Sequence, residues 1–212
     1  MRVKVCGMTQ LEQVRKLDEM GLDFAGFIFY HKSPRYVGKH IRGEQLKKTR
    51  LRLGKVGVFV NAPYEEVMRH VDDYGLDMVQ LHGDETPRLC EQLANYVSVI
   101  KVFRLGEDDP IEWIMRPYLE VCDMFLFDTL GVGYGGTGKK FNWEVLKGAA
   151  MEKLFFLSGG IEPEDVDKLN EFSADQVGKK LFSIDINSRF ETSSGVKDLE
   201  KIKNFLSSLR GS

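Results

Sequence analysis

The chain has 212 residues, 42% hydrophobic and 29% charged, with 32 acidic against 30 basic side chains and a formal net charge of −2. That length allows one sizeable core or two small ones, and the composition is ordinary for a globular protein. Interspersed charges offer no basic field for nucleic acid, no apolar run reaches the roughly 18 residues of a membrane span, and no signal-peptide pattern opens the chain. A cytoplasmic protein is therefore expected.

The chain opens on a strand-like run at residues 2–6 and a helix pattern at 10–20. Thr9 and Glu12 have the spacing of a capping box, and Gly21 fits as the stop. A strand at 24–29 leads through His31-Lys32-Ser33-Pro34-Arg35-Tyr36 to a helix at 43–49. The strand at 56–60 is nearly all apolar, and the helix at 64–74 is opened by Pro63 and closed by Gly75. Strand 78–82, helix 87–95, strand 98–103, helix 110–119 and strand 123–128 continue the alternation. After a glycine-rich stretch come helix 142–148, strand 154–158, helix 163–171 opened by Pro163, strand 181–186 and helix 198–209.

Near-continuous Val, Ile, Leu and Phe runs mark strands buried on both faces, as in a parallel sheet covered by helices. Eight such units favour a closed (β/α)8 barrel over an open doubly wound sheet, although alternation alone does not separate the two. No Pro- or Ser-rich linker divides the chain, so a single barrel domain over 1–212 is expected.

Three cysteines give an odd count with no CxxC pair for zinc or redox chemistry. Cys90 and Cys122 read as small buried apolar groups. Cys6 ends the first strand in front of a glycine, and Asp128 ends the sixth. In a parallel barrel both ends meet on the face where barrel enzymes do their chemistry, so a thiol and a carboxyl would serve there as base and acid. Strand parity turns Lys4 inward with Cys6, where a lysine needs a carboxylate partner.

Gln80 and His82 share a strand face; His82 either lines the pocket or satisfies loop backbone. Arg35 is a surface residue or, from the loop after the second strand, a fork for a carboxylate. Ser158-Gly159-Gly160-Ile161-Glu162-Pro163 runs from strand to glycines to helix, a spot that favours an anion. The next loop, Asp185-Ile186-Asn187-Ser188-Arg189, adds polar donors and a cation, and barrels commonly seat a phosphate between these two loops. The segment from Gly133 to Lys140 nearly matches the phosphate loop GxxxxGK[ST], but Lys140 stands where Ser or Thr would hold magnesium. It reads better as a lid beside Asp128.

Together KVCGMT, GFIFYHKSPRYV, VGVFVN, VQLHGDE, LFDT, YGGTGKKFNW, LSGGIEPEDV and DINSRFETSSGVKD span nearly the whole chain. In order and spacing they resemble the phosphoribosylanthranilate isomerase family of tryptophan synthesis. The resemblance implies a ribose-phosphate-binding (β/α)8 barrel, an Amadori rearrangement of a small-molecule substrate, phosphoribosylanthranilate, and neither cofactor nor metal. It implies no nucleic-acid or membrane partner, and a monomer or homodimer.

It also carries the base onto Cys6, the acid onto Asp128 and the anthranilate carboxylate contact onto Arg35. Phosphate contacts fall on Gly159, Gly160, Asn187 and Ser188, and pocket-lining positions on His82 and Asp185. The chain departs from the family at Arg189, where a small residue is usual, at Phe190 and at Asn142, which serves as a helix cap. The rival readings are another ribose-phosphate barrel enzyme and a non-catalytic phosphoribosyl-binding barrel.

Overall fold

Apolar runs bounded by glycine and polar turns form the strands, and amphipathic stretches between them cover the sheet. The computed structural model describes residues 1–129 and 141–211. In order come β1 (Arg2–Val5), α1 (Leu11–Glu19), β2 (Phe24–Ile28), α2 (Gly43–Lys48), β3 (Gly54–Phe59), α3 (Tyr64–Tyr74), β4 (Met78–Leu81) and α4 (Pro87–Ala94). Then come β5 (Ser98–Leu105), α5 (Ile111–Met115), β6 (Met124–Thr129), β7 (Leu154–Leu157), α6 (Val166–Ala174) and β8 (Leu181–Ile186). A hairpin of β9 (Glu191–Ser193) and β10 (Val196–Lys197) precedes α7 (Leu199–Arg210).

Strands β1 to β8 pair in parallel in chain order, and β8 closes on β1 with Lys4 opposite Asp185. The sheet is thus a closed barrel rather than an open doubly wound sheet. Alternation along each strand sends one set of side chains inward and the other toward the helices. Val56, Ile100, Val102, Met124, Leu126 and Phe156 fill the interior, with Phe24, Met78 and Phe182 packed against them. A second, larger apolar cluster lies between sheet and helices. Helix α7 shows why: Ile202, Phe205, Leu206 and Leu209 are buried at helical spacing, a stripe facing the sheet. Each large apolar side chain so buried contributes about 1.5–3 kcal/mol.

Some local expectations need correction. Helix α1 begins at Leu11 with Gln10 as N-cap and no side-chain cap. The buried Thr9 hydroxyl instead donates to the Gly195 carbonyl at 2.6 Å, which spends it on tertiary structure. The expected helix at 110–119 breaks into α5 and a 3-10 turn at Arg116–Tyr118, because Pro117 has no N–H to donate back. The expected helix at 142–148 is a single 3-10 turn, Trp143–Leu146, whose start is capped by the Asn142 side chain accepting from Glu144 N. Gly21 and Gly75 do stop their helices, at φ of +74° and +61°. Cys90 and Cys122 are buried, as expected. The glycine-rich segment from Gly133 to Lys140, read as a lid, lies outside the described residues. Among the described residues no helix is long and apolar enough to cross a membrane.

Candidate active site

Inward parity continues past the apolar interior to the carboxyl ends of the strands, and there the side chains become polar. Above Met124 and Leu126 stands Asp128; above Ile100 and Val102, Arg104; above Met78, Gln80 and His82. Cys6 lies one residue beyond β1, and its backbone N–H donates to Ile186 O at 2.9 Å, which fixes the loop to β8. Cys6, Gln80, His82 and Asp128 open onto a cavity of about 160 Å3. Cys6, Arg35, His82, Asp128, Gly160, Asp185, Asn187 and Ser188 all line it. Gly159 does not: its turn packs against Thr129 and Phe141, and its carbonyl accepts from Phe141 N at 2.9 Å.

Asp128 takes up a proton more readily than an ordinary carboxylate. Burial raises its pKa to about 6 against the opposing hydrogen bond from Thr129 N, which donates to Oδ1 at 2.8 Å. Its other oxygen faces His82 Nε2 at 3.5 Å. Burial, with Lys4, Arg104 and Lys101 nearby, lowers His82 to about 3, so the imidazole stays neutral. The Gln80 side-chain amide hydrogen-bonds His82 Nδ1 at 3.0 Å and holds the ring with Nε2 toward Asp128. His82 is therefore a neutral imidazole beside the carboxyl.

Cys6 faces the opposite problem. Burial pushes its thiol up, and Asp185 adds to that, while Lys4 and Lys197 pull it down. Lys4 is fully buried and donates to Asp185 Oδ2 at 2.8 Å, the carboxylate partner its inward position demanded. Burial works to lower Lys4, but Asp185 and Cys6 together hold it above its ordinary value.

Arg35 is gripped from below. Its Nε and Nη2 donate to the Glu191 carboxylate at 2.9 and 2.6 Å, and Glu191 also accepts from Lys197 Nζ at 2.7 Å. Lys197 Nζ reaches Asn187 Oδ1 at 2.8 Å, and Gln13 of α1 holds the Lys197 backbone through both amide atoms. Glu191 and Lys197 were not anticipated, because the hairpin that carries them is short, polar and without alternation. The loops after β7 and β8 lie side by side. Gly159 and Gly160 turn at φ of +93° and +74°, the left-handed region that glycine enters without strain. Arg189 Nε meets Glu162 Oε1 at 3.1 Å, so the departure at 189 bridges the two loops at the cavity rim. Among the described residues no cluster of His, Cys, Asp or Glu is arranged for a metal ion.

A thiol, a proton-holding carboxyl, an arginine fork and a glycine turn on one cavity suit acid-base chemistry on a small anionic molecule. A family model described as N-(5'phosphoribosyl)anthranilate (PRA) isomerase matches residues 3–208. The chain belongs to the phosphoribosylanthranilate isomerase family. An N-(5'-phosphoribosyl)anthranilate isomerase of Parabacteroides distasonis is 40% identical over 97% of this chain and 92% of its own. The solved phosphoribosyl anthranilate isomerase of Thermotoga maritima superposes with a TM-score of 0.84 at 33% identity, with both chains fully covered. Another solved isomerase, in complex with reduced 1-(O-carboxyphenylamino)-1-deoxyribulose 5-phosphate, matches with a TM-score of 0.80 at 30% identity over both full chains. A phosphoribosylanthranilate isomerase barrel thus carries, in this chain, an arginine at 189 and the Arg35–Glu191–Lys197 network beneath the cavity.

Proposed function

We infer that this enzyme catalyses the Amadori rearrangement of N-(5-phosphoribosyl)anthranilate to 1-(2-carboxyphenylamino)-1-deoxyribulose 5-phosphate, with Asp128 as general acid and Cys6 as general base. Asp128, protonated, gives its proton to the ribose ring oxygen as the C1–O bond breaks, leaving a protonated imine. The Cys6 thiolate then removes the proton on C2, giving an enol-amine that tautomerises to the ketone. Substrate and product are isomers, so the reaction as written needs no oxidant or other co-reactant.

Arg35 takes the anthranilate carboxylate, and Gly160, set by the Gly159 turn behind it, takes the phosphate with Asn187 and Ser188 through backbone donors. His82 and Asp185 form the walls around the sugar. The observation that carries the assignment is a thiol and a carboxyl raised to about 6 on one cavity at the strand ends. General acid-base help of this kind is worth about 10²–10⁴-fold each. The substrate made in situ is fluorescent and the product far less so, which gives a direct assay. Decay on adding the protein, slowed by at least that factor in Cys6→Ala and in Asp128→Asn, is the expected result. Saturable binding without decay would mean a binding protein instead.

A further inference from the structure

The acid and base are mismatched in a way the barrel must correct. A carboxyl at about 6 and a thiol at its ordinary ~8.5 are together in the needed states, acid protonated and base ionised, in roughly one molecule in 300. Burial of Cys6 thins that population further. A fixed positive charge beside the sulfur is the remedy, and its chemistry is legible at the barrel centre.

Lys4 and Cys6 project inward from the same edge of the first strand and converge on Gly26 of β2. A methyl group at Gly26 would lie 2.8 Å from Cys6 Sγ and 3.2 Å from Lys4 Cε, so the two side chains share the space that glycine leaves. The Lys4 ammonium donates to the Asp185 carboxylate at 2.8 Å, and its charge favours ionisation of the neighbouring Cys6 thiol. Asp185 Oδ1 is buried without a hydrogen-bond partner, so Lys4 is its main compensation. A buried ion pair of this kind is a weak device for stability, since apolar side chains of similar size would serve as well or better.

We propose that Lys4 is the positioning residue that eases ionisation of Cys6, its buried side chain packed beside the sulfur and its ammonium held by the Asp185 carboxylate. The thiol proton leaves to solvent through the cavity, and Lys4 keeps its own protons throughout. The other charged or titratable groups around Cys6 are Asp185 from β8, Lys197 from β10, Arg35 from the loop after β2, and His82 and Asp128 across the cavity. Asp185 opposes the thiolate, and Lys197, which shares the Glu191 carboxylate with Arg35, aids it less than Lys4 does. Lys4 is thus the cation whose side chain shares the space at Gly26 with the sulfur.

The proposal rests on Cys6 as base, but its test does not use the isomerase reaction. Alkylation of the full-length protein with iodoacetamide across pH 6–10, with Cys6 followed by peptide mass spectrometry, reads the thiolate directly. Lys4→Met is expected to move the alkylation midpoint up by at least one pH unit, slowing Cys6 labelling about tenfold at pH 7.5. Lys4→Arg is expected to keep most of the wild-type profile. Where Lys4→Met does not fold with Asp185 unpaired, Asp185→Asn is compared with Lys4→Met/Asp185→Asn, and the same upward shift is expected in the double variant. An unchanged midpoint in a folded Lys4→Met or in the double variant overturns the proposal. Full activity in Cys6→Ala would instead overturn the base assignment, and the labelling profile would still report on Lys4.

Discussion

At the scale of single residues, burial favours the uncharged forms, which suits a general acid at Asp128 and opposes a thiolate at Cys6. Asp128 has its pKa raised from the usual carboxylate value of 3.8 to about 6, chiefly by burial. A group raised on folding favours the folded state while it stays protonated, and that contribution fades as pH rises through the folded value. Asp128 therefore costs stability at neutral pH, by up to about 3 kcal/mol for roughly two units. Asp128→Asn removes that cost and keeps an oxygen for the Thr129 N–H. The variant is expected to be catalytically crippled yet harder to unfold in urea at pH 7, with the gain gone by about pH 4. Equal midpoints at pH 7 would show that the carboxylate is better solvated than its 24% exposed side chain indicates.

At the scale of elements, the hairpin β9–β10 governs Arg35. Glu191 holds the guanidinium through Nε and Nη2, and Lys197, held by α1 through Gln13, donates to the same carboxylate. Glu191→Gln keeps the shape but removes the anion between two cations. An arginine-carboxylate contact worth about 1.5–3 kcal/mol predicts that Arg35→Ala raises KM about 10–100-fold. Glu191→Gln should raise KM part of the way, about 3–10-fold, with kcat nearly unchanged. A wild-type KM in Glu191→Gln would mean that Arg35 holds its place without the hairpin.

The same hairpin marks where reading the sequence stops. Cys6 and Asp128 are visible in sequence because a strand's end and its parity are local features. Lys4 signals that it needs a carboxylate, but the identity of Asp185 depends on the register between first and last strands. Glu191 reaches Arg35 across 156 residues, with no local pattern to announce it. Thr9 misleads for the same reason: its spacing to Glu12 is a local cap signal, and its hydroxyl is used 186 residues away.

At the scale of the whole molecule, the barrel divides its labour along its axis. The polar ends of the strands carry the cavity, and an apolar plug fills the opposite end. Phe156 is fully buried in that plug, edge-on to Phe24 at 5.7 Å and tilted against Phe182 at 5.4 Å. Both partners sit at the amino-terminal ends of their strands, away from Cys6 and Asp128. Closure of the ring by β1 and β8 means that every strand leans on this plug, so a void there loosens the whole barrel. Removing a phenylalanine side chain from a packed core typically costs about 3–5 kcal/mol, part lost transfer energy and part cavity. Phe156→Ala is therefore expected to lower the unfolding free energy measured in urea by that much while kcat and KM at 25 °C stay within about twofold. Cys6→Ala should do the reverse, abolishing turnover with little change in the urea midpoint. The contrast matters because strand ends and plug are covalently continuous, so strain at one end could in principle misplace the other. A folded Phe156→Ala that loses turnover would show that the plug also sets the spacing of the strand ends.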